Sequence, residues 1–378
     1  MALAFMAGSL AGSVHIAQGA EAQPDTKPGL QYVGVDIDVR SPDSEQVSKE
    51  LDRAKELGYN ALRLVTTWSF GQAEAYNDVP MLEFAIREAR ERDMEPILAV
   101  TPCWQSENCE APTASDQTRF ITTLSHLAQV LDVKQWIIGI EPNNSIFWNF
   151  QYAQNGESRA PAAYYRLVAR SYDELKKRSP DNVVICGSLA SSGDDDPTKK
   201  RPGHSIYRFI EGMAAEYKKS GRQSPFCDVL AIHPHLAFPT ESPLTEHGQR
   251  TVGIADYPKL VKLWDKAFKD TGQPKVPIFY SEFGIESEIP KSKLAFYTGS
   301  QSERLKESVR AEYLNQAYKV AACQVRVIGL NNFLLYDEQR LDGWQSGAYY
   351  ADGSPKSSLD SNRRTITETK SGTMNSSC

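Results

Sequence analysis

Along this chain short apolar runs of strand-forming residues recur at regular intervals, separated by stretches whose apolar positions fall three and four residues apart. The first pattern predicts strands and the second amphipathic helices. Strands are expected at 32–38 (YVGVDID), 61–68 (ALRLVTTW), 96–102 (PILAVTP), 135–141 (QWIIGIE), 182–188 (NVVICGS), 229–235 (VLAIHPH), 277–283 (PIFYSEF) and 327–335 (VIGLNNFLL). Helices are expected at 44–57, 78–92, 115–131, 161–178, 204–220, 257–269 and 303–322. The first stops against Gly58, and Pro161 suits the opening turn of the fourth.

Strands that alternate with helices imply a parallel sheet, and eight repeats imply a closed (β/α)₈ barrel over 30–356. An open doubly wound sheet is the competing architecture, but no glycine-rich phosphate turn follows an early strand. The connections are asymmetric. Helix-to-strand links are short (58–60, 93–95, 132–134, 179–181), whereas strand-to-helix links are long (142–160, 189–203, 236–256, 284–302). In such a barrel the long links gather at the C-terminal face, where ligand sites are built. Trp68, Trp104, Trp148 and Trp344 fall at or beyond strand ends on that face. Their flat rings suit stacking on sugars, and packing within the loops is the alternative.

Composition narrows the classes. The chain has 378 residues, 40% hydrophobic and 24% charged, with a net charge of -6. It offers no basic footprint for nucleic acid or an anionic membrane. Residues 1–22 begin with an uncharged apolar run and reach Ala20-Glu21-Ala22, a signal-peptide pattern without its positive start, so secretion is expected. A soluble, monomeric protein is expected, since no later apolar run approaches the ~18 residues that span a bilayer. Of six cysteines, Cys103 and Cys109 are placed to staple a loop, and Cys186 reads as a buried thiol. Cys227, Cys323 and Cys378 have no assignable partners from sequence. The acidic and basic runs at 194–196 and 199–201 read as a solvated loop, and the polar segment 357–378 as a disordered tail.

Two carboxylates stand out. Glu141 ends the fourth strand candidate, followed by Pro142, which halts pairing; alternation places it on the face of Gly139 and Ile137. Glu282 ends the seventh, on the face of Tyr280, with Gly284 permitting a sharp exit. One such residue alone reads as an ion-pair partner. Two on opposite sides of one barrel mouth flank a single bond, as glycoside cleavage requires. His233 and His235, with Asp36 and Asp38, offer a second reading, a catalytic metal centre. Hydrogen-bonded rim histidines beside Glu282 are the preferred account.

In order, Ile140-Glu141-Pro142-Asn143, Tyr280-Ser281-Glu282-Phe283-Gly284 and Gly343-Trp344-Gln345-Ser346-Gly347-Ala348-Tyr349 resemble clan A glycoside hydrolases. The cellulase-like and β-xylosidase-like bacterial barrels are nearest in pattern, and the resemblance runs from Gly34 to about Lys356. It implies retaining cleavage of β-glycosidic bonds without a cofactor or metal, acting on an oligo- or polysaccharide. Glu141 would be the acid/base, Glu282 the nucleophile, and Arg63 the group that keeps Glu282 ionised. Trp68, Trp104, Asn143, Trp148, His233, His235, Tyr280 and Trp344 would line the substrate site. Two positions depart from the pattern: Ile140 replaces the asparagine before the acid/base, and His235 stands where a tyrosine contacts the nucleophile. A barrel that binds carbohydrate with weakened or lost turnover is therefore the alternative.

Overall fold

A computed structural model describes residues 29–37, 43–68, 79–102 and 113–373. The predicted signal segment, Trp104 and the Cys103–Cys109 staple lie outside the described residues. Eight strands close into one parallel barrel: β1 (Tyr32–Asp36), β2 (Ala61–Thr67), β3 (Glu95–Thr101), β4 (Gln135–Ile138), β5 (Val183–Ala190), β6 (Val229–His233), β7 (Ile278–Phe283) and β8 (Val327–Asn332). The pairing of β1 with β8, Gly34 opposite Asn331, shuts the sheet on itself. This is the (β/α)₈ fold, and closure leaves no exposed sheet edge.

The helices α1 (Ser44–Leu57), α2 (Val79–Glu91), α3 (Ala114–Val130), α4 (Ala160–Arg178), α5 (Ile206–Ser220), α6 (Tyr257–Ala267), α7 (Glu307–Cys323) and α8 (Leu359–Ser371) surround it. Local chemistry sets their ends. Asp43 accepts from the Gln46 N–H to cap α1, and Gly58, at φ 97°, closes it in a left-handed turn. Thr113 and Asp116 exchange bonds in a capping box at the start of α3.

Strand alternation divides two apolar layers. Ala61, Ile97, Ala99, Ile137, Ile185, Val229, Ala231 and Phe279 fill the barrel. Leu62, Leu98, Trp136, Val184, Leu230 and Tyr280 face the helices in the larger outer layer. The interior is packed, so access to the chemistry is from the C-terminal mouth.

Two expectations need correction. The expected disordered tail at 357–378 is ordered as far as it is described: residues 359–371 form α8, which packs against α7, α1 and β1. Its buried face is mostly polar, with Asn362, Thr365, Ile366 and Thr369, so an apolar count misses it. Cys186 is buried but not a thiol. The β5–β6 register sets Ile185 opposite Val229 and brings Cys227 beside Cys186, and the two form a disulfide with Cα atoms 5.6 Å apart. Their separation of 41 residues hides the pairing in the sequence.

The 194–203 loop is held by its own acids. Asp194 accepts from the Asp196 and Gly203 N–H groups, and Asp195 from the Ser205 N–H.

Candidate active site at the barrel mouth

β4 stops at Ile138, three residues before Glu141, because Gly139 takes φ 80° and Glu141 itself φ 41°. The strand alternation expected to place Glu141 with Gly139 and Ile137 therefore ends before reaching it. Only glycine enters the left-handed region freely, and a Cβ on residue 139 would stand 3.2 Å from the Tyr164 ring. The turned backbone is fastened across to β5 by the Glu141 N–H donating to the Ser188 carbonyl at 2.8 Å. The Glu141 carboxylate accepts from Asn144 Nδ2 and from His233 Nδ1, each at 3.0 Å.

Glu282 reaches the same place by a different irregularity. The β7–β8 register shifts between Tyr280 and Phe283, so side chains two apart no longer share a face. Tyr280 turns outward, its hydroxyl donating to Gln324 Oε1 at 2.5 Å in the helix layer. It is therefore not a lining residue of the mouth. Glu282 turns inward, with Oε1 2.7 Å from Arg63 Nη1, and Oε2 3.4 Å from His233 Nδ1 and 3.7 Å from His235 Nε2.

His233 Nδ1 thus stands between the two carboxylates. The contacts of 3.0 Å to Glu141 and 3.4 Å to Glu282, laid end to end, leave at most about 6.4 Å between the nearest oxygens. The two carboxylates therefore face one shared space at the mouth.

Electrostatics separate the acids. Arg63, 1% exposed, offers one nitrogen to both Asp36 Oδ2, at 2.5 Å, and Glu282. Burial works against charge on Glu282, but the positive fields of His233 and then Arg63, with the His235 contact, hold its carboxyl down to about 2. Asp36 lacks the imidazoles. Burial pushes it up, Arg63 pulls the other way, and the negative Glu282 adds to the rise, to about 7. Glu282 is the carboxylate that stays ionised.

Hydrogen bonds orient both histidines. The Gly284 N–H points at His235 Nδ1 at 3.4 Å, so that nitrogen accepts and Nε2 carries the proton that faces Glu282. The ring is steadied by Trp344, 4.5 Å away between centroids. His233 Nδ1, facing carboxylates only, is a donor, while its Nε2 lies 2.7 Å from Ser188 Oγ, itself 3.2 Å from Ser281 Oγ.

His233, His235 and Glu282 offer donor atoms within 4.8 Å of one another, compact enough for a metal ion. The chemistry fits poorly. Ligation at His235 Nε2 needs a lone pair where the ring holds its proton, and the Arg63 cation already bonds the same carboxylate.

Among the other expected lining residues, Trp344 is partly exposed at the rim, its ring tilted 39° against that of His235. Trp68 and Trp148 do not line the mouth. Both are 1% exposed, packed edge-on against Phe120 and Tyr164 respectively. Asn143 is also internal: it donates to the Ala190 and His204 carbonyls and accepts from the Ala190 N–H, joining the β4 and β5 loops. Sequence reasoning passed over its neighbour Asn144, although that residue sits one helical turn's spacing from Glu141. Ser188 and Tyr164 left no signal, since their contacts depend on strand ends meeting in space.

A groove of about 1140 Å³ runs along the outer wall between α3, α4 and α5, past Arg166, Arg170 and Glu216. None of the mouth residues lines it. Among the described residues, no helix is long and apolar enough to cross a membrane.

No protein-family model and no curated protein sequence matches the chain. Solved structures do. A family 39 glycoside hydrolase from Bacteroides cellulosilyticus is 16% identical with a TM-score of 0.63, over 90% of this chain and 64% of that one. The chain thus spans less than two thirds of that protein's length. A family 39 β-xylosidase from Caulobacter crescentus gives 15% identity, a TM-score of 0.55, and 89% and 72% coverage. A glucosidase from Croceicoccus marinus gives 12%, 0.60, and 91% and 69%. At such identities the likeness is one of architecture: the chain has the barrel fold of these glycoside hydrolases.

Proposed function

We propose that the protein is a glycosidase that cleaves β-linked oligo- or polysaccharides with retention, Glu141 serving as acid/base and Glu282 as nucleophile. The observation that carries this reading is the meeting of both carboxylates on His233 Nδ1, with Glu282 held strongly ionised. The fold likeness supports it. Glu282, charged and aimed by Arg63 and His235, attacks the anomeric carbon to form a glycosyl ester. Glu141 protonates the departing oxygen and then takes a proton from the water that releases the sugar. His235 stands where the resemblance expects the tyrosine, with its Nε2 turned to Glu282 Oε2 at 3.7 Å. That favours turnover over the binding-only alternative. The Cys186–Cys227 disulfide supports an oxidising compartment and hence export.

The test is hydrolysis of a panel of aryl β-glycosides. Glu282→Gln should lower kcat by at least about a thousandfold. A 2-fluoro glycoside with an activated leaving group should leave a sugar ester on Glu282, visible by mass spectrometry. Wild-type turnover in Glu282→Gln would remove that residue from the reaction.

A further inference from the structure

Tyr164, on α4, belongs to neither glutamate's strand and touches neither carboxylate, yet it sits where β4 ends and where β5 shifts its register. Its ring is 0% exposed. Its hydroxyl donates to the Ile138 carbonyl at 2.7 Å, at the last residue of β4, and accepts from the Gly187 N–H at 2.7 Å, inside β5. Both strands turn left-handed directly after these contacts, Gly139 at φ 80° and Glu141 at φ 41° on one side, Gly187 at φ 89° and Ser188 at φ 49° on the other. Non-glycine residues hold such angles only where the surroundings over-determine them. Burial also keeps the phenol protonated far above the ordinary range, so it is a permanent donor.

The contacts form a closed circuit. From Tyr164 the path runs through Ile138 to Glu141, across to His233 Nδ1 at 3.0 Å, and from His233 Nε2 to Ser188 Oγ at 2.7 Å. It then returns through Gly187 to the same phenol, with the Glu141 N–H to Ser188 carbonyl bond as a strut across the middle.

We propose that the Tyr164 hydroxyl is a positioning group for the Glu141–His233 pair, fixing where the proton donor of the reaction stands. The role rests on the glycosidase reading above. It implies that loss of one buried oxygen weakens acid assistance selectively, because a small displacement of a positioned group costs disproportionate rate.

The test is Tyr164→Phe, assayed on an alkyl glycoside, whose departing oxygen needs a proton, and on a 2,4-dinitrophenyl glycoside, whose leaving group does not. The expected result is a kcat/KM loss of about tenfold or more on the first and less than about twofold on the second, since kcat/KM reports the step in which the departing oxygen needs its proton. The His233 Nδ1 proton resonance, assigned with His233→Asn, should move. Gly139→Ala keeps the hydroxyl but presses a methyl on the Tyr164 ring, and should give the same leaving-group signature. Equal losses on both substrates, or no loss on either, overturn the proposal. A wild-type enzyme that cleaves neither substrate sinks the glycosidase reading instead. In that event a His233 resonance unmoved by Tyr164→Phe still overturns the positioning role.

Discussion

Arg63 serves two carboxylates with one nitrogen, and the consequence shows in their proton affinities. Asp36, raised to about 7, keeps a proton in the folded state that the unfolded chain has lost between the ordinary carboxylate range and about pH 7. The folded protein binds the extra proton, so this group's contribution to stability falls as pH rises from about 4 towards 7. Glu282, lowered to about 2, acts with opposite sign: its contribution is complete above about 4.5 and is lost as pH falls towards 2. Asp36→Asn should therefore flatten the decline in melting temperature between about pH 4 and about 7 and leave the Glu282 acid limb in place. It should also remove any inflection near pH 7 from the kcat/KM profile, because a second negative charge would no longer compete for Arg63. An unchanged inflection in Asp36→Asn would assign that titration elsewhere.

The elements show which parts of the molecule the sequence made legible. The eight strands and the first seven helices follow from periodicity, and α1 has the predicted bounds of 44–57. Glu141 and Glu282 were found because a carboxylate at the end of an apolar strand is costly without a purpose. Their faces were not readable. The β7 register shift sends Tyr280 outward and Glu282 inward, and Gly139 ends β4 early; both are backbone events that alternation assumes away. Trp68 and Trp148 lie beyond strand ends as expected but pack inward, since position along a chain does not fix which way a ring turns. α8 escaped notice for a chemical reason, a buried face of threonine and asparagine. The β8–α8 connection carries another hidden element. Lys356 is 2% exposed and bonds Asp337 at 2.8 Å, Ser287 at 3.1 Å and the Gln345 carbonyl at 2.9 Å, directly beside Trp344. Burial lowers its ammonium to about 8, with Asp337 resisting the fall. Lys356→Met strands a buried carboxylate and should cost about 3–5 kcal/mol in denaturant unfolding. A change below about 1 kcal/mol would show that water replaces the pairing.

At the scale of the whole molecule, closure turns eight marginal repeats into one cooperative body with its irregular loops at a single face. The Cys186–Cys227 bridge adds a covalent tie between neighbouring strands. Closing 41 residues should contribute about 4 kcal/mol if the loss of unfolded-chain freedom dominates. The double variant Cys186→Ser with Cys227→Ser tests this by its unfolding midpoint, and an unshifted midpoint would mean that the barrel alone sets the stability. Closure has one more consequence, at the seam. The Leu30 N–H donates to the Thr369 carbonyl at 3.2 Å, where the chain enters β1 and leaves α8. Both ends of the described chain therefore meet under the floor of the barrel, opposite Glu141 and Glu282. A surface, linker or fused partner attached through either of these ends would hold the molecule by its base and leave the opening unobstructed.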